Sequence, residues 1–175
     1  MAAQAKKMKV FSFEMDPLNN SIQHYNVFKN NLQALIATLP IALSDQNSIR
    51  NVYYKSISPG DTLHSIDDYS PYISNENRSK VQTSKIAMFS LDFLIDELDL
   101  AFPAHKKIDV DGIEFKILQG MPLSLKSALS IMIEVDSESI ESIKEYLSAH
   151  GFILSRIFSA HGVRKDNTNA LFIKH

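Results

Sequence analysis

The chain has 175 residues, 45% hydrophobic, 22% charged and 9% aromatic, with a net charge of -2. Domains run to roughly 100–200 residues, so one domain spanning residues 1–175 is expected, and disorder, collagen-like repeats and coiled coil are excluded. The near-neutral charge gives no electrostatic reason for a nucleic-acid partner, and the lack of cysteine excludes disulfides, zinc–thiolate and iron–sulfur centres and thiol catalysis.

Ala2–Lys7 holds good helix formers but is too short for a helix and reads as the tail of one. Lys9–Glu14, aromatic and β-branched, predicts a strand that ends at a carboxylate and turns at Asp16-Pro17. Ile22, Tyr25, Val27, Phe28, Leu32 and Leu35 recur at helical spacing and predict a helix from about Asn19 or Asn20 to Leu35. Ile36–Ala42 predicts a short strand marred by Pro40, and Val52-Tyr53-Tyr54 another. The longest apolar stretch, Leu32–Leu43, is cut by Gln33, Thr38 and Pro40. It falls short of the roughly 20 residues of a membrane span. Met1–Lys7 has no apolar signal core, so the expected location is the cytoplasm.

From Ser58 to about Ser84 the composition turns to Ser, Asp, Asn, Pro and Tyr without a period, which predicts a long loop of functional or mobile character. Order returns at Ile86–Phe89. Ser90 then caps a helix carrying Leu91, Phe93, Leu94, Ile95 and Leu98. Lys106–Asp111 predicts a strand whose end carries two acids. Gly112 turns the chain into a short helix striped by Ile113, Ile117 and Leu118 and closed near Gly120. Ser130–Val135 predicts a buried strand, followed by a helix capped at Asp136 or Ser137 with Ile140, Ile143, Tyr146 and Leu147 on one face and Gly151 at its end. Phe152–Phe158 and Ala170–Ile173 close the chain as two strands. Strands alternating with helices predict an α/β sheet of mainly parallel strands, and the closing pair an antiparallel hairpin at one edge.

In an open α/β sheet, ligands sit beyond the carboxyl ends of the strands. Glu14, Asp109 with Asp111, and Glu134 fall there. Glu14 suits two ribose hydroxyls or is a solvent-facing acid at a strand end. On a strand, Asp109 and Asp111 would share one face, where like charges raise a carboxylate's basicity, and Glu114 would add a third group. Asp111 equally suits the cap of the helix after Gly112. Of six histidines, none pairs at metal-ligand spacing. His64 stands apart because it lies in the long loop.

Val10–Asn19, with Asn26, Asn30 and Asn31, resembles the second strand and helix of FkbM-type methyltransferases. Ile41-Ala42-Leu43-Ser44-Asp45 looks like the segment after their third strand, and Ser90-Leu91-Asp92 like the lead-in to their fourth. The strongest match is Lys107-Ile108-Asp109-Val110-Asp111-Gly112-Ile113-Glu114 with Ile117-Leu118-Gln119-Gly120, continued by Ile133-Glu134-Val135 and His150-Gly151-Phe152. The family's first strand and glycine-rich turn, which wrap the methionine part of S-adenosylmethionine, have no counterpart here. The sequence therefore reads as starting inside the fold.

The resemblance implies a class I methyltransferase, Rossmann-like sheet missing its first strand. It implies S-adenosylmethionine as cofactor and O-methyl transfer to a hydroxyl of a small-molecule, sugar or lipid-linked acceptor. It places Glu14 on the ribose, Ala42, Ser44 and Asp45 along the adenine, and Asp109 near the methyl group, with Asp111 and Glu114 orienting the site. No metal is implied. The alternative is a non-catalytic remnant of the same fold acting as a binding module.

Overall fold

A computed structural model describes residues 8–56, 58, 60, 64–67, 73–159 and 168–175. Ser44–Gln46 with Ser90–His175 form one compact unit, and the described residues up to Leu43 with Asn47–Phe89 form another.

In the first unit β1 (Val10–Phe13) pairs in parallel with β2 (Ile36–Leu39), setting Phe11 beside Ala37 and Phe13 beside Leu39. Between them runs α1 (Pro17–Lys29). The Asp16 carboxylate accepts from the Leu18 and Asn19 amides at 2.9 and 2.8 Å, and Pro17 stands where a missing N–H costs nothing. The helix begins earlier and stops six residues sooner than its periodicity predicts. Asn31 adopts a left-handed φ of 56°, and the Leu32 amide reaches back to the Val27 carbonyl at 2.9 Å. That geometry is a helix stop, and asparagine tolerates it.

Pro40 cuts the predicted Ile36–Ala42 strand in two. Residues after it form β3 (Ala42–Leu43), which joins a second sheet of order β3-β6-β4-β5, with β4 (Ser48–Tyr54), β5 (Ser65–Ile66) and β6 (Gln82–Phe89). β3 runs parallel to β6, and β4 antiparallel to both β5 and β6. Val52, Tyr54, Ile66, Ile73, Ile86 and Met88 form its core. The stretch 58–84, predicted as loop, contains β5, α2 (Asn75–Arg78) and the start of β6. Residues 57, 59, 61–63 and 68–72 lie outside the described part.

The second unit contains α3 (Leu91–Glu97), β7 (His105–Ile108), α4 (Glu114–Gln119), α5 (Pro122–Ser127), β8 (Ser130–Val135), α6 (Ile140–Ala149), β9 (Phe152–Ser159) and β10 (Thr168–Lys174). Its sheet order is β7-β8-β10-β9, parallel between β7 and β8 and antiparallel beyond. Ile131, Ile133 and Val135 alternate inward along β8 and meet Ile143 and Leu147 of α6, Phe152, Ala170 and Phe172 in a closed core. The expected closing hairpin is present, with β10 inserted between β8 and β9.

The sheets are mixed rather than mainly parallel: β1–β2, β3–β6 and β7–β8 are parallel, and the other pairings antiparallel. Among the described residues β1 pairs with β2 alone and β7 with β8 alone. The same residues contain no helix long and apolar enough to cross a membrane.

Candidate active site

Glu14 leaves β1 with its amide donating to the Leu39 carbonyl at 3.0 Å, so the strand pairing fixes its backbone. Its Oε1 accepts from the Asp16 amide at 2.8 Å, and its carbonyl accepts from Asn20 Nδ2 at 3.4 Å. Around it stand two groups that the sequence showed only as a turn and a loop residue. Asp16 and Asn20 are buried, and His64 is 5% exposed. His64 Nε2 lies 3.9 Å from Asp16 Oδ2, its Nδ1 accepts from the Lys55 amide at 3.4 Å, and its ring meets the Tyr54 ring edge-on at 4.9 Å. The loop histidine is therefore seated beside the helix cap that follows Glu14. The Asp-Pro pair was the available signal, because an acid before a helix-initiating proline is a cap as readily as a turn. Ala42, buried in β3, belongs to this same unit.

The other expected site residues belong to the second unit. Ser44 is buried, and its Oγ donates to Asp45 Oδ1 at 2.8 Å. Asp45 also lies 3.9 Å from Lys116 Nζ on α4. The end of α4 closes directly on this segment: a Cβ on Gly120 would fall 1.9 Å from the Ser44 carbonyl oxygen. Only glycine admits that approach, which ties Ser44-Asp45 to the helix of the acidic loop.

β7 ends at Ile108, so Asp109 and Asp111 stand in the loop after the strand and not on it. The expectation that they share a strand face is corrected. The loop separates them instead. Asp109 is exposed and ion-paired with Lys107. Asp111 is partly buried, and its charge and that of Glu134 both act on Glu114. The Asp111 cap is not formed either: the residue at the helix N-terminus is Ile113, which caps nothing with its side chain. Glu114 serves the turn, its Oε1 accepting from the Gly112 amide at 3.1 Å, with Gly112 at a φ of 85° that favours glycine. Burial pushes the Glu114 carboxyl above its usual range, and Glu134 and Asp111 push the same way. The Glu114 and Gly112 amides restrain the rise. Glu134 sits across from Asn169 in the β8–β10 register, and Asn169 Oδ1 is buried without accepting a hydrogen bond. Nothing in the sequence marked Asn169, because cross-strand neighbours 35 positions apart leave no local pattern. Among the described residues no group of three or more His, Cys, Asp or Glu side chains is arranged to hold a metal ion.

The arrangement offers two chemistries. An acid fixed at the end of β1 can accept hydrogen bonds from vicinal hydroxyls, and a half-buried carboxyl of raised basicity at the start of α4 can take a proton from a weak acid such as an alcohol. Residues 1–154 match the profile of the methyltransferase FkbM domain. The crystal structure of methyltransferase FkbM from Methylobacillus flagellatus KT is similar in fold, with a TM-score of 0.63 and 14% sequence identity. The similarity covers 98% of this chain and 39% of that one, so this chain spans well under half the length of its solved neighbour. No curated protein matches the chain.

Proposed function

The chain belongs to the FkbM methyltransferase family, and from that premise we propose that it serves methyl transfer from S-adenosylmethionine to a hydroxyl oxygen of a small-molecule, sugar or lipid-linked acceptor. The family match over residues 1–154 is the observation that carries this reading. Residues 1–175 are taken as a single methyltransferase-like domain of class I, Rossmann-like architecture. The β7-β8-β10-β9 order, parallel then antiparallel, supports that architecture.

The side chains present suit the adenosine half of the cofactor by their chemistry. The Glu14 carboxylate can accept from two ribose hydroxyls, and the Asp45 carboxylate from the exocyclic amine of adenine, with Ala42 and Ser44 flanking. The bound cofactor would supply a methyl group already activated by a positive sulfur. What remains for the protein is alignment and proton removal. Glu114 is the proton acceptor, because burial and its acidic neighbours raise its basicity. Asp109, ion-paired with Lys107, orients the acceptor, and the charge of Asp111 adds to the basicity of Glu114. Asp109→Asn and Glu114→Gln are accordingly expected to remove transfer while leaving the core intact.

The test is titration of the isotope-labelled chain with S-adenosylhomocysteine, followed by amide shifts and calorimetry. Shifts at Glu14, Ala42, Ser44 and Asp45 are expected. Because the sequence holds no glycine-rich turn for the methionine half, affinity should be weaker than about 1 μM, or about -8 kcal/mol. Glu14→Ala should weaken it further by roughly 1–3 kcal/mol through lost charge-assisted hydrogen bonds. Absence of shifts at those residues at saturating ligand would favour the non-catalytic module instead.

A further inference from the structure

We infer that the acidic trough formed by α3 and the turn after it is a docking site for a basic, apolar peptide segment of a partner protein. The trough holds about 470 Å³ and is open rather than enclosed. Its described lining comes from α3, the segment after it and Leu123 of α5, and includes none of Glu14, Ser44, Asp45, Asp109, Asp111 and Glu114. The inference does not depend on the methyl-transfer reading.

Two features of the trough specify its occupant. The first is charge. Asp92 and Asp96 stand one turn apart on α3, Asp99 follows the end of the helix with a left-handed φ of 48°, and all three line the trough, with no Lys, Arg or His among the described lining residues. Asp92 is already used: its carboxylate accepts from the Leu123 and Ser124 amides at 2.6 and 2.9 Å and feels the charge of Lys106. Asp96 and Asp99 are exposed, and no salt bridge neutralises either among the described residues. They stand at the C-terminal end of α3, where a negative charge opposes the helix dipole. A cation arriving there therefore relieves two unfavourable interactions at once.

The second feature is apolar. Phe102 and Leu123 are 50% and 54% exposed, yet they line a concavity rather than lying scattered over the surface. Leu100 continues the same wall. An open trough buries only one side of a small molecule, but it matches a peptide that lays apolar side chains against the wall and Lys or Arg against the acid row. Such charge complementarity steers association and fixes register, while the apolar contacts slow release.

The experiment titrates the isotope-labelled chain with a synthetic amphipathic Lys/Leu peptide and, separately, with its Glu/Leu counterpart. Amide shifts confined to residues 92–102 and 121–125 are expected for the Lys/Leu peptide and none for the Glu/Leu one. Adding salt should weaken binding. The Asp96→Lys, Asp99→Lys double variant should weaken it at least about tenfold through charge reversal, and Phe102→Ser should do so without altering salt dependence. Both aspartates are exposed, and since Asp99 holds a left-handed φ of 48° that lysine accepts less readily, Asp96→Lys alone and Asp99→Asn serve as parallel variants, while the wild-type shift map stands even if a variant misfolds. Shifts elsewhere, or equal binding by both peptides, would overturn the proposal. So would a dimer in sedimentation that the double variant abolishes, because the occupant would then be a second copy of the chain.

Discussion

Two helices that each carry apolar residues at helical spacing, more sharply segregated in α6 than in α1, meet opposite fates in this molecule. In α6, Ile143 and Leu147 are fully buried against the β8–β10–β9 sheet. In α1 the buried residue is Asn20, while Tyr25 and Phe28 are 60% and 73% exposed. The strands repeat the contrast: Ile131 and Ile133 of β8 are sealed, whereas Phe11 of β1 lies open at 36%. Helical spacing of apolar residues reports that a face exists, not that something covers it. A face is buried only when a sheet broad enough lies beneath it, and two strands of four residues each are marginal by themselves.

The sharpest way to break this comparison is to truncate both helices. Leu147→Ala should cost about 2–5 kcal/mol, the usual range for deleting a closed-core leucine and leaving a cavity. Phe28→Ala should stay within about 0.5 kcal/mol, as expected of an exposed position. Urea titrations read both. A large loss from Phe28→Ala would show that the α1 face is covered in solution. Hydrogen exchange should repeat the result, with the β8 and β10 amides protected far longer than those of β1 and β2.

The next effect tests the close approach in the second unit. Gly120→Ala places a methyl group where the Ser44 carbonyl stands, so backbone must move, at about 1–3 kcal/mol for overpacking. In the first unit the comparable single change is Asp16→Ala, which removes the α1 cap and should cost about 1 kcal/mol. The loss should be local, read as faster exchange of the Leu18 and Asn19 amides, with β8 unaffected.

The second unit was legible in the sequence because its elements carry complete local signals. Ser90 caps α3, Ser130–Val135 is a strand and Gly151 follows the end of α6, each as expected, although only every second residue of that strand is buried. α5 escaped because its N-terminus is capped from a distance, by Asp92, so no local cap signal precedes Pro122. In the first unit a pattern running to Leu35 outlasted the helix, because nothing in periodicity announces that Asn31 will go left-handed. The acids at the β7–α4 junction were found as a group but misplaced in geometry: strand alternation was applied to residues that had already left the strand. What brings Glu134 and Asn169 to that junction is sheet order, which no local window contains.

The smallest expected effect concerns that junction and comes with a sign. Burial, then the charges of Glu134 and Asp111, raise the Glu114 carboxyl above its usual value. In the unfolded chain the same group ionises at its ordinary pKa of 4.5. Its contribution to folding is therefore most favourable below that value, where both states are protonated. It turns into a penalty as pH rises and the folded protein must ionise a half-buried acid. Glu114→Gln keeps the acceptor for the Gly112 amide and removes the charge, so it should raise the melting temperature slightly at pH 7 and give no gain near pH 3. A rival view makes Glu114 an ordinary solvated turn acid, and that view predicts the same difference from wild type at both pH values. Lys106 provides the internal control: burial lowers its ammonium to about 8 while it donates to the Pro103 and Ser124 carbonyls. Its penalty is present below pH 8 and fades as pH rises toward 10.5, so it titrates outside the window in which Glu114 is read.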